Sequence, residues 1–340
     1  MNDTIMLKEI LEQTSKIDAC YDFNNQKIKD VADIIKKFEP QNIVIVGRGT
    51  SMHAGIYAKH ILELYYHIPV SIAAQSIFTV YDSCTDMSKS LVIGISQSGG
   101  GKDTLTVIKK AREQGALTLS IVNNLESDLA LASEHVLYCN AGNVVAYPAT
   151  KTFITSLYLI TKLVYELTQN ENLNINEMKL KEIITSTINR REEIKEKCLM
   201  LKDNDQLLVL GRGLSLSLAM ETGLKIKEAC QINVNAYPIS EFYHGPIAIL
   251  DKKIPVILFD FDNIVRNDVS GIINRINEKE VPTLLISNDN NQSTIKLESK
   301  ESLYSYFEAA IVIQLLTCEL ALAKGFNPDY NAALGKIATF

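Results

Sequence analysis

The feature that most constrains the fold of this chain is an internal repeat of a short apolar run followed by Gly-Arg-Gly. The two copies read NIVIVGRGTS at residues 42–51 and QLLVLGRGLS at residues 206–215, about one domain length apart. Each apolar run is typical of a buried parallel strand, and the sequence that follows it is compatible with a long helix. The repeat therefore predicts two domains of the same design.

Further apolar runs predict how each domain continues. Strands are expected at residues 91–96 and 117–122 in the first half, with a helix at 103–114 between them. In the second half, strands are expected at 255–261 and 281–288, again with a helix-like segment between them. Strands that alternate with helices imply a parallel sheet covered on both faces, which is the α/β class.

The domain boundary is predicted in the charged stretch 170–202, which is rich in Asn, Lys, Glu and Ile and resembles a helical connector. The chain has 340 residues, of which 46% are hydrophobic, so each half can bury a core of its own. We place the first domain at residues 1–195, with residues 1–39 forming helices that pack on it. The second domain then covers residues 196–340.

Charge and cysteine usage exclude several classes of protein. The formal net charge of −6 gives no electrostatic footprint for nucleic acid or an anionic membrane. No apolar run approaches the roughly 18 residues of a membrane span, and the first residues lack the apolar region of a signal peptide. The six cysteines are scattered without a C-x-x-C pair, which favours reduced thiols over disulfides or zinc. We therefore expect a cytoplasmic protein without metal, cofactor, nucleic-acid partner or membrane partner.

The segment SQSGGGKDT at residues 96–104 has the composition of a phosphate-binding loop. It leaves a predicted strand, passes three glycines and enters a predicted helix. Glycines let the backbone approach an anion closely, and the free N–H groups of a helix N-terminus carry positive partial charge. Ser96, Gln97 and Ser98 add neutral donors. Because the Lys-Ser/Thr ending of a nucleotide P-loop is missing, the loop predicts a phosphate cradle and not ATP chemistry.

Charged side chains on the helix after the second repeat form another candidate site. Glu221, Lys225 and Glu228 fall at positions i, i+4 and i+7, so they share one helix face. This spacing fits either a solvated stripe with a weak Glu–Lys pair or a catalytic acid/base set. His244 follows on a Gly-Pro turn in SEFYHGP, where it is either a surface residue or a functional group. Residue spacing alone leaves both alternatives open.

Together these segments resemble, over nearly the whole chain, the isomerase half of glucosamine-6-phosphate synthase and its stand-alone relatives, the double-SIS amino-sugar-phosphate deaminases and isomerases. The resemblance implies two tandem SIS domains, each a parallel sheet flanked by helices. The matching segments, in the same order as in the family, are KEILEQ, GRGTS, SQSGGGKDTL, NAGNVVAYPATKTF, GLKIKEACQINVNAYPISEFYHGP and KGFNPDYNAALGK.

The resemblance also implies catalytic roles. Glu228 matches the carboxylate that moves a proton between C1 and C2 of the sugar, and His244 matches the histidine that opens the sugar ring. Lys225 and Glu221 stand where the family keeps charge around the developing enolate. Lys336 matches a C-terminal lysine that closes over the sugar.

The same resemblance implies how the substrate is held and how the protein assembles. Ser51, Ser96, Gln97 and Ser98 match the phosphate contacts of the family, and Thr50 matches a neighbouring contact. In the synthase the ring-opening histidine reaches in from the neighbouring subunit. We therefore expect a homodimer whose active sites are shared between subunits.

Two departures from the family pattern concern substrate specificity. In the loop Ser98-Gly-Gly-Gly-Lys-Asp-Thr104, Gly100 and Gly101 replace a carboxylate and a hydroxyl donor, so one phosphate hydrogen bond is lost or comes from Lys102. In the later segment, Tyr147 and Pro148 change the wall that faces the sugar.

Two smaller changes lie in the same later segment. Ala149 removes a serine hydroxyl, and Val144 replaces an acid. The changes in this segment leave the identity of the sugar phosphate open, but they do not affect the three family residues Glu228, His244 and Lys336.

The expected function is that of an amino-sugar-phosphate deaminase/isomerase, which converts glucosamine 6-phosphate to fructose 6-phosphate and ammonia. Since no glutaminase half accompanies these segments, amination from glutamine is not expected of this chain. Lys336 favours deamination, whereas the Tyr147-Pro148 wall keeps a fructosamine-6-phosphate deglycase possible. Plain aldose/ketose phosphate isomerisation is a further alternative. A sugar-phosphate sensor that binds without turnover is the alternative outside enzymes.

Overall fold

A computed structural model describes residues 4–289 and 293–334, and within these ranges it contains two five-stranded parallel sheets flanked by helices. The α/β class predicted from the sequence is confirmed. The strands are β1 (Asn42–Val46), β2 (Val70–Ile72), β3 (Ser90–Ser96), β4 (Leu117–Val122), β5 (His135–Tyr138), β6 (Gln206–Gly211), β7 (Asn233–Pro238), β8 (Val256–Asp260), β9 (Thr283–Ser287) and β10 (Ile295–Lys296).

The helices cover both faces of the sheets and form the connector between the two repeats. They are α1 (Ile5–Leu11), α2 (Gln13–Phe38), α3 (Thr50–Ile61), α4 (Gln75–Thr79), α5 (Lys102–Glu113), α6 (Asp128–Ala132), α7 (Lys151–Thr168), α8 (Glu177–Asn189), α9 (Arg191–Cys198), α10 (Ser215–Cys230), α11 (Ile239–Phe242), α12 (Arg266–Glu278) and α13 (Ser302–Ala323). The predicted helical connector corresponds to α8 and α9.

The two sheets have the same topology. The first has the strand order β2-β1-β3-β4-β5, and the second has the equivalent order β7-β6-β8-β9-β10. In each, the chain starts at an inner strand, adds one strand on one side and then continues on the other side. Open α/β sheets bind ligands at this switch point, beyond the carboxyl ends of the strands. The switch points here lie between β1 and β3 and between β6 and β8.

By their internal contacts the described residues form two compact units. The first-sheet unit comprises residues 15–144 and 151–177, and the second-sheet unit comprises residues 4–14, 145–150, 178–289 and 293–334. The short segment 145–150 therefore belongs with the second sheet although the chain reaches it between β5 and α7. The boundary near residue 195, which lies in α9, stays a prediction.

The sequence predicted that the helices of residues 1–39 pack on the first domain; most of α2 lies in the first-sheet unit, whereas α1 belongs to the second-sheet unit. It packs against α13 of the second-sheet unit, where its apolar residues Met6, Leu7 and Ile10 are buried. The carboxylate of Asp329 accepts hydrogen bonds from the first N–H groups of α1, at 2.9 and 2.7 Å. This acidic cap compensates for the helix N-terminus and fixes α1 to the unit that contains Asp329.

Helix α13 is the central helix of the second-sheet unit. It has 22 residues and a mean hydropathy of 1.6 over an 18-residue window, which is long and apolar enough for a membrane span. The expectation that no segment of the chain approaches a membrane span is therefore wrong. However, 89% of that window is buried inside the protein. Its polar residues are paired internally: Glu319 binds Arg191 at 2.6 Å, and Gln314 binds Gln13 at 2.7 Å. These pairs are typical of a core helix.

Candidate active site

The first candidate region lies at the switch point of the first sheet. Strands β1 and β3 pair in parallel, so the loops that follow them leave from the same edge of the sheet. Each loop runs directly into a helix, α3 at Thr50 and α5 at Lys102, and each N-cap residue is a glycine without a side-chain cap. The positive ends of two helices therefore lie at one sheet edge, which favours an anion there.

Two glycines are required by the backbone of these loops. Gly99 is buried with φ +66°, and a Cβ atom on it would lie 2.0 Å from the Oγ atom of Ser127. A Cβ atom on Gly47 would lie 3.0 Å from the carbonyl oxygen of Ile95. A side chain at Gly99 would therefore be strained and would clash, and one at Gly47 would force its neighbours to shift, so both positions favour glycine.

All five residues predicted to contact phosphate lie on these two loops or at the helix starts. Thr50 and Ser51 begin α3, and Ser96, Gln97 and Ser98 leave β3; all are half-buried. Two of the serines also order the second loop. Ser96 Oγ accepts a hydrogen bond from the N–H of Gly99 at 3.0 Å, and Ser98 Oγ accepts one from the N–H of Gly100 at 3.3 Å. Their role in phosphate binding stays a prediction.

Arg48 braces the two loops, a role that sequence analysis missed. Its guanidinium forms an ion pair with Asp103 in the first turn of α5. Its Nε atom donates to Gln75 at 2.9 Å, and the amide of Gln75 donates to the carbonyl of Gly47 at 2.8 Å. The occurrence of arginine in both Gly-Arg-Gly copies was the available signal. Lys102, considered as a replacement phosphate ligand, is exposed at the start of α5.

The second candidate region is the buried face of α10. Glu221 and Lys225 have no exposed surface, and the Nζ and Oε1 atoms are 2.6 Å apart. The ammonium of Lys225 also donates to the carbonyl oxygen of Ala149. The solvated-stripe alternative is therefore wrong. A buried ion pair needs additional hydrogen bonds to offset desolvation, and the Ala149 carbonyl supplies one.

Glu228 lies on the same face of α10, one turn beyond Lys225. Its Oε2 atom is inaccessible to solvent and has no hydrogen-bond partner among the described residues. Burial raises the pKa of Glu228 to about 7; Lys225 opposes this shift, and the negative charge of Glu221 adds to it. A carboxylate with an unused lone pair and a pKa near neutrality has the properties of a general base.

The predicted sugar-facing residues Tyr147 and Ala149 lie in the same unit as Glu228. The N–H of Tyr147 donates to the carbonyl of Asp329 at 3.1 Å, and its ring contacts the ring of Tyr330 edge to face, with centroids 5.3 Å apart. The side-chain amide of Asn331 then donates to the main-chain carbonyl of Glu228 at 2.9 Å. The segment 329–331 thus connects Tyr147 to the part of α10 that carries Glu228.

His244 is exposed on the turn that follows α11. It lines an open cavity of about 400 Å³ together with Arg212, Ser240, Tyr243 and Asp268, among others. Lys336 lies outside the described residues. Among the described residues, no group of three or more His, Cys, Asp or Glu side chains is arranged to hold a metal ion.

Comparison with known proteins agrees with the fold and the repeat. The model of the SIS domain family matches residues 38–165 and 200–323. The chain therefore belongs to the SIS-domain family, with one SIS domain in each half. It is 30% identical over 349 residues to the isomerizing glutamine–fructose-6-phosphate aminotransferase of Thermococcus kodakarensis, and the alignment covers 98% of this chain and 58% of that protein.

Two solved structures extend the comparison. The C-terminal domain of glucosamine-fructose-6-phosphate aminotransferase from Francisella tularensis has a TM-score of 0.83 and 25% identity, covering 97% of this chain and 98% of that domain. Glucosamine-6-phosphate deaminase from Thermotoga maritima has a TM-score of 0.79 at 19% identity, with 98% of each chain covered, and so shares the fold. The resemblance to the isomerase half of the synthase, expected from the sequence, is confirmed.

Proposed function

We propose that this chain is an amino-sugar-phosphate deaminase/isomerase, which converts glucosamine 6-phosphate and water to fructose 6-phosphate and ammonia. The observation that carries the proposal is Glu228, a half-buried carboxylate whose Oε2 atom is inaccessible to solvent and has no hydrogen-bond partner among the described residues, and whose pKa is raised to about 7. The two helix N-termini and the serines at the first switch point support a phosphate ligand. We also propose that the protein is cytoplasmic and forms a homodimer.

The proposed reaction divides the work among the candidate residues. His244 assists opening of the sugar ring, which exposes the C1 aldehyde. Glu228 removes the proton from C2, giving an enolamine, and delivers it to C1, which leaves an imine at C2. Water adds to this imine, and ammonia leaves to give the ketose phosphate. The buried charges of Lys225 and Glu221 stabilise the charge that develops on the enolamine.

The pKa of Glu228 suits this proton transfer. A base with a pKa near 7 is about half ionised at neutral pH, and its conjugate acid is strong enough to return the proton to C1. Lys225 opposes a still higher pKa, so the residue keeps a useful ionised fraction. We expect kcat/KM to fall as pH drops below about 7, because the base is then protonated. A kcat/KM that is constant from pH 8 to pH 5 would contradict this assignment.

Incubation of the purified protein with glucosamine 6-phosphate tests the proposal directly. Ammonia and fructose 6-phosphate should be released in equal amounts, and a Glu228→Gln preparation purified in parallel should release neither. Absence of both products at micromolar wild-type enzyme would overturn the proposal. Binding of the sugar phosphate without turnover would instead support the sensor alternative.

A fructosamine-6-phosphate deglycase is a second candidate, supported by the aromatic pair of Tyr147 and Tyr330. Two rings in contact beside the Ala149 segment provide a broad apolar surface, which suits a substrate that carries an additional group on its nitrogen. A substrate panel with fructoselysine 6-phosphate and glucosamine 6-phosphate separates the two reactions. Turnover of fructose 6-phosphate to an aldose phosphate alone would identify a plain isomerase.

A further inference from the structure

Glu9 in α1 holds the segment 145–150 at both ends. Its carboxylate is 3% exposed, and its Oε1 atom accepts hydrogen bonds from the N–H groups of Val145 at 2.6 Å and Ala146 at 3.4 Å. Its Oε2 atom accepts a hydrogen bond from the hydroxyl of Thr150 at 3.5 Å. Hydrogen bonds from neutral donors to a buried carboxylate are stronger than those between neutral groups, so the short bond to Val145 restrains the start of the segment and the longer bond to Thr150 adds to the restraint at its end.

Helix α13 supports the same segment. The Nε2 atom of Gln314 donates to the carbonyl of Thr150 at 3.4 Å, and its Oε1 atom accepts from Gln13 at 2.7 Å. Gln13 and Gln314 are buried, and all of these contacts lie within the second-sheet unit. The far end of the segment is thus held both by Glu9 and by an amide of the core helix.

The middle of the segment contacts the candidate acid/base residues. The carbonyl of Ala149 accepts a hydrogen bond from the ammonium of Lys225, which is paired with Glu221 at 2.6 Å. Lys225 is the positive charge that acts on Glu228. A shift of the segment would therefore move the Ala149 carbonyl, an acceptor that orients Lys225, and would also move the ring of Tyr147.

We propose that Glu9 is a positioning residue of the candidate active site, which fixes the segment 145–150 so that the Ala149 carbonyl orients Lys225. Its kinetic consequence rests on the proposed function, whereas its effect on the segment does not. In this proposal Glu9 acts through the backbone of the segment that it binds. Displacement of a catalytic group by about 1 Å can cost about 10²-fold in rate, so loss of Glu9 is expected to be felt in kcat.

Glu308 in α13 provides a matched control. It is a buried carboxylate of the same unit, and it accepts hydrogen bonds from the N–H groups of Glu298 at 2.8 Å and Ser299 at 3.0 Å. It also binds Arg190 at 3.4 Å. The loop that it holds is not part of the candidate site. Removal of either glutamate should destabilise the protein, but only Glu9 should affect the reaction.

The kinetic experiment compares Glu9→Ala, Glu9→Gln and Glu308→Ala, each assayed well below its Tm. Glu9→Ala is expected to lower kcat about 10- to 100-fold, with KM changed less than about threefold, because the phosphate loops belong to the other unit. Glu9→Gln keeps an acceptor for the Val145 N–H, and kcat should recover to within about fivefold of wild type. Glu308→Ala should keep kcat within about twofold of wild type.

Hydrogen exchange of the 145–150 amides tests the same inference without activity. These amides should exchange faster in Glu9→Ala and not in Glu308→Ala, where the amides of residues 298 and 299 should open instead. Failure of the proposed function would appear as absent turnover in the wild type, and the exchange result would still decide the role of Glu9. Unchanged exchange in Glu9→Ala, or an equal loss of kcat in Glu308→Ala, would overturn it. If Glu9→Ala does not fold, the exchange of Glu9→Gln decides the question.

Discussion

The switch points of the two sheets have equivalent Arg–Asp ion pairs but different side chains at the strand ends. In the first sheet, Arg48 after β1 pairs with Asp103 in the first turn of α5. In the second sheet, Arg212 after β6 pairs with Asp268 in the first turn of α12, with 2.7 Å between Nε and Oδ2. Each pair joins the loop after the first strand to the helix after the third, so the repeat has kept the frame of the ligand-binding edge in both domains.

The residues at the ends of the strands differ between the two switch points. Strand register aligns Gly94 with Val46 and Leu258 with Leu210, so Ser96 and Ser98 of the first sheet correspond to Asp260 and Asp262 of the second. Burial raises the pKa of Asp260, although Arg266 lies 3.3 Å away and opposes the shift. Carboxylates repel phosphate, whereas serine hydroxyls donate to it. The second switch point is therefore unsuited to a phosphate.

The helices after the two Gly-Arg-Gly loops also differ, because here it is the second half that carries the candidate catalytic residues. At the positions that correspond to Glu221, Lys225 and Glu228 of α10, the first half has Tyr57 and Ile61 in α3 and Leu64 just beyond the end of α3. Tyr57 is buried, and its hydroxyl bonds to Thr161 at 2.7 Å. One domain thus carries the predicted phosphate loops and the other the buried titratable groups, so the two halves share a scaffold but differ in the chemistry of their side chains.

Replacement of Glu228 tests this division most severely. Glu228→Gln should lower kcat by about 10³-fold or more, because it removes the base but leaves the shape of the side chain. Binding of the sugar phosphate should persist, since the loops of the first sheet are unchanged. The matched variant is Leu64→Gln at the equivalent position of the first half, which should keep kcat within about twofold. Near-normal kcat in Glu228→Gln, measured by ammonia release, would refute the assignment.

An exchange of residues between the two switch points should have the next largest effect. Ser98→Asp places the acid of the second sheet in the first, and repulsion of the substrate phosphate should raise KM about 100-fold or more. The reciprocal change, Asp262→Ser, should alter KM less than about threefold. Calorimetric titration with a hexitol phosphate checks the same ranking without turnover. An unchanged KM in Ser98→Asp would mean that the phosphate binds elsewhere.

Mixed dimers test whether His244 of the second domain serves the neighbouring chain. Inactive Glu228→Gln and His244→Ala proteins are combined under conditions of subunit exchange. If each site uses the two residues from different chains, about a quarter of wild-type activity should return, since about half the dimers are mixed and one of their two sites is intact. No recovery despite demonstrated exchange would assign His244 to the site of its own chain, or to no site.

The sequence predicted the inner strands of each sheet but not the outer ones. The prediction for β4, residues 117–122, is confirmed, and all six of its residues are buried because an inner parallel strand is covered on both faces. Strands β2 and β10 are only three and two residues long, too short to produce a periodic signal. Strand β7 alternates exposed Asn233 and Asn235 with buried Val234, a pattern easily taken for a loop.

For the candidate site, too, the sequence predicted some features and missed others. Phosphate-loop composition is local in the sequence, and the structure places those residues at one sheet edge. The burial of Lys225 could not be inferred from spacing, because a Glu–Lys pair at i, i+4 is typical of exposed helices. The role of Glu9 depends on contacts with residues 145–150, which are far away in the sequence. Such tertiary contacts leave no local pattern.

The smallest effect expected is a change in stability with pH that separates Glu228 from the rest of the site. Its pKa rises from an ordinary value of 4.5 to about 7 in the folded protein. The folded state therefore holds the proton more tightly, so this contribution to stability is fully present below about pH 4.5 and is lost as pH rises through about 7.

Glu228→Gln removes the titration. In chemical denaturation, the free energy of unfolding of the variant relative to that of the wild type should increase by on the order of 2 kcal/mol between pH 5 and pH 8. The equivalent Leu64→Gln change carries no charge and should show no such gain. Parallel stability curves for wild type and Glu228→Gln would mean that Glu228 titrates as an exposed acid, and the contrast between the two helices would then lose its electrostatic basis.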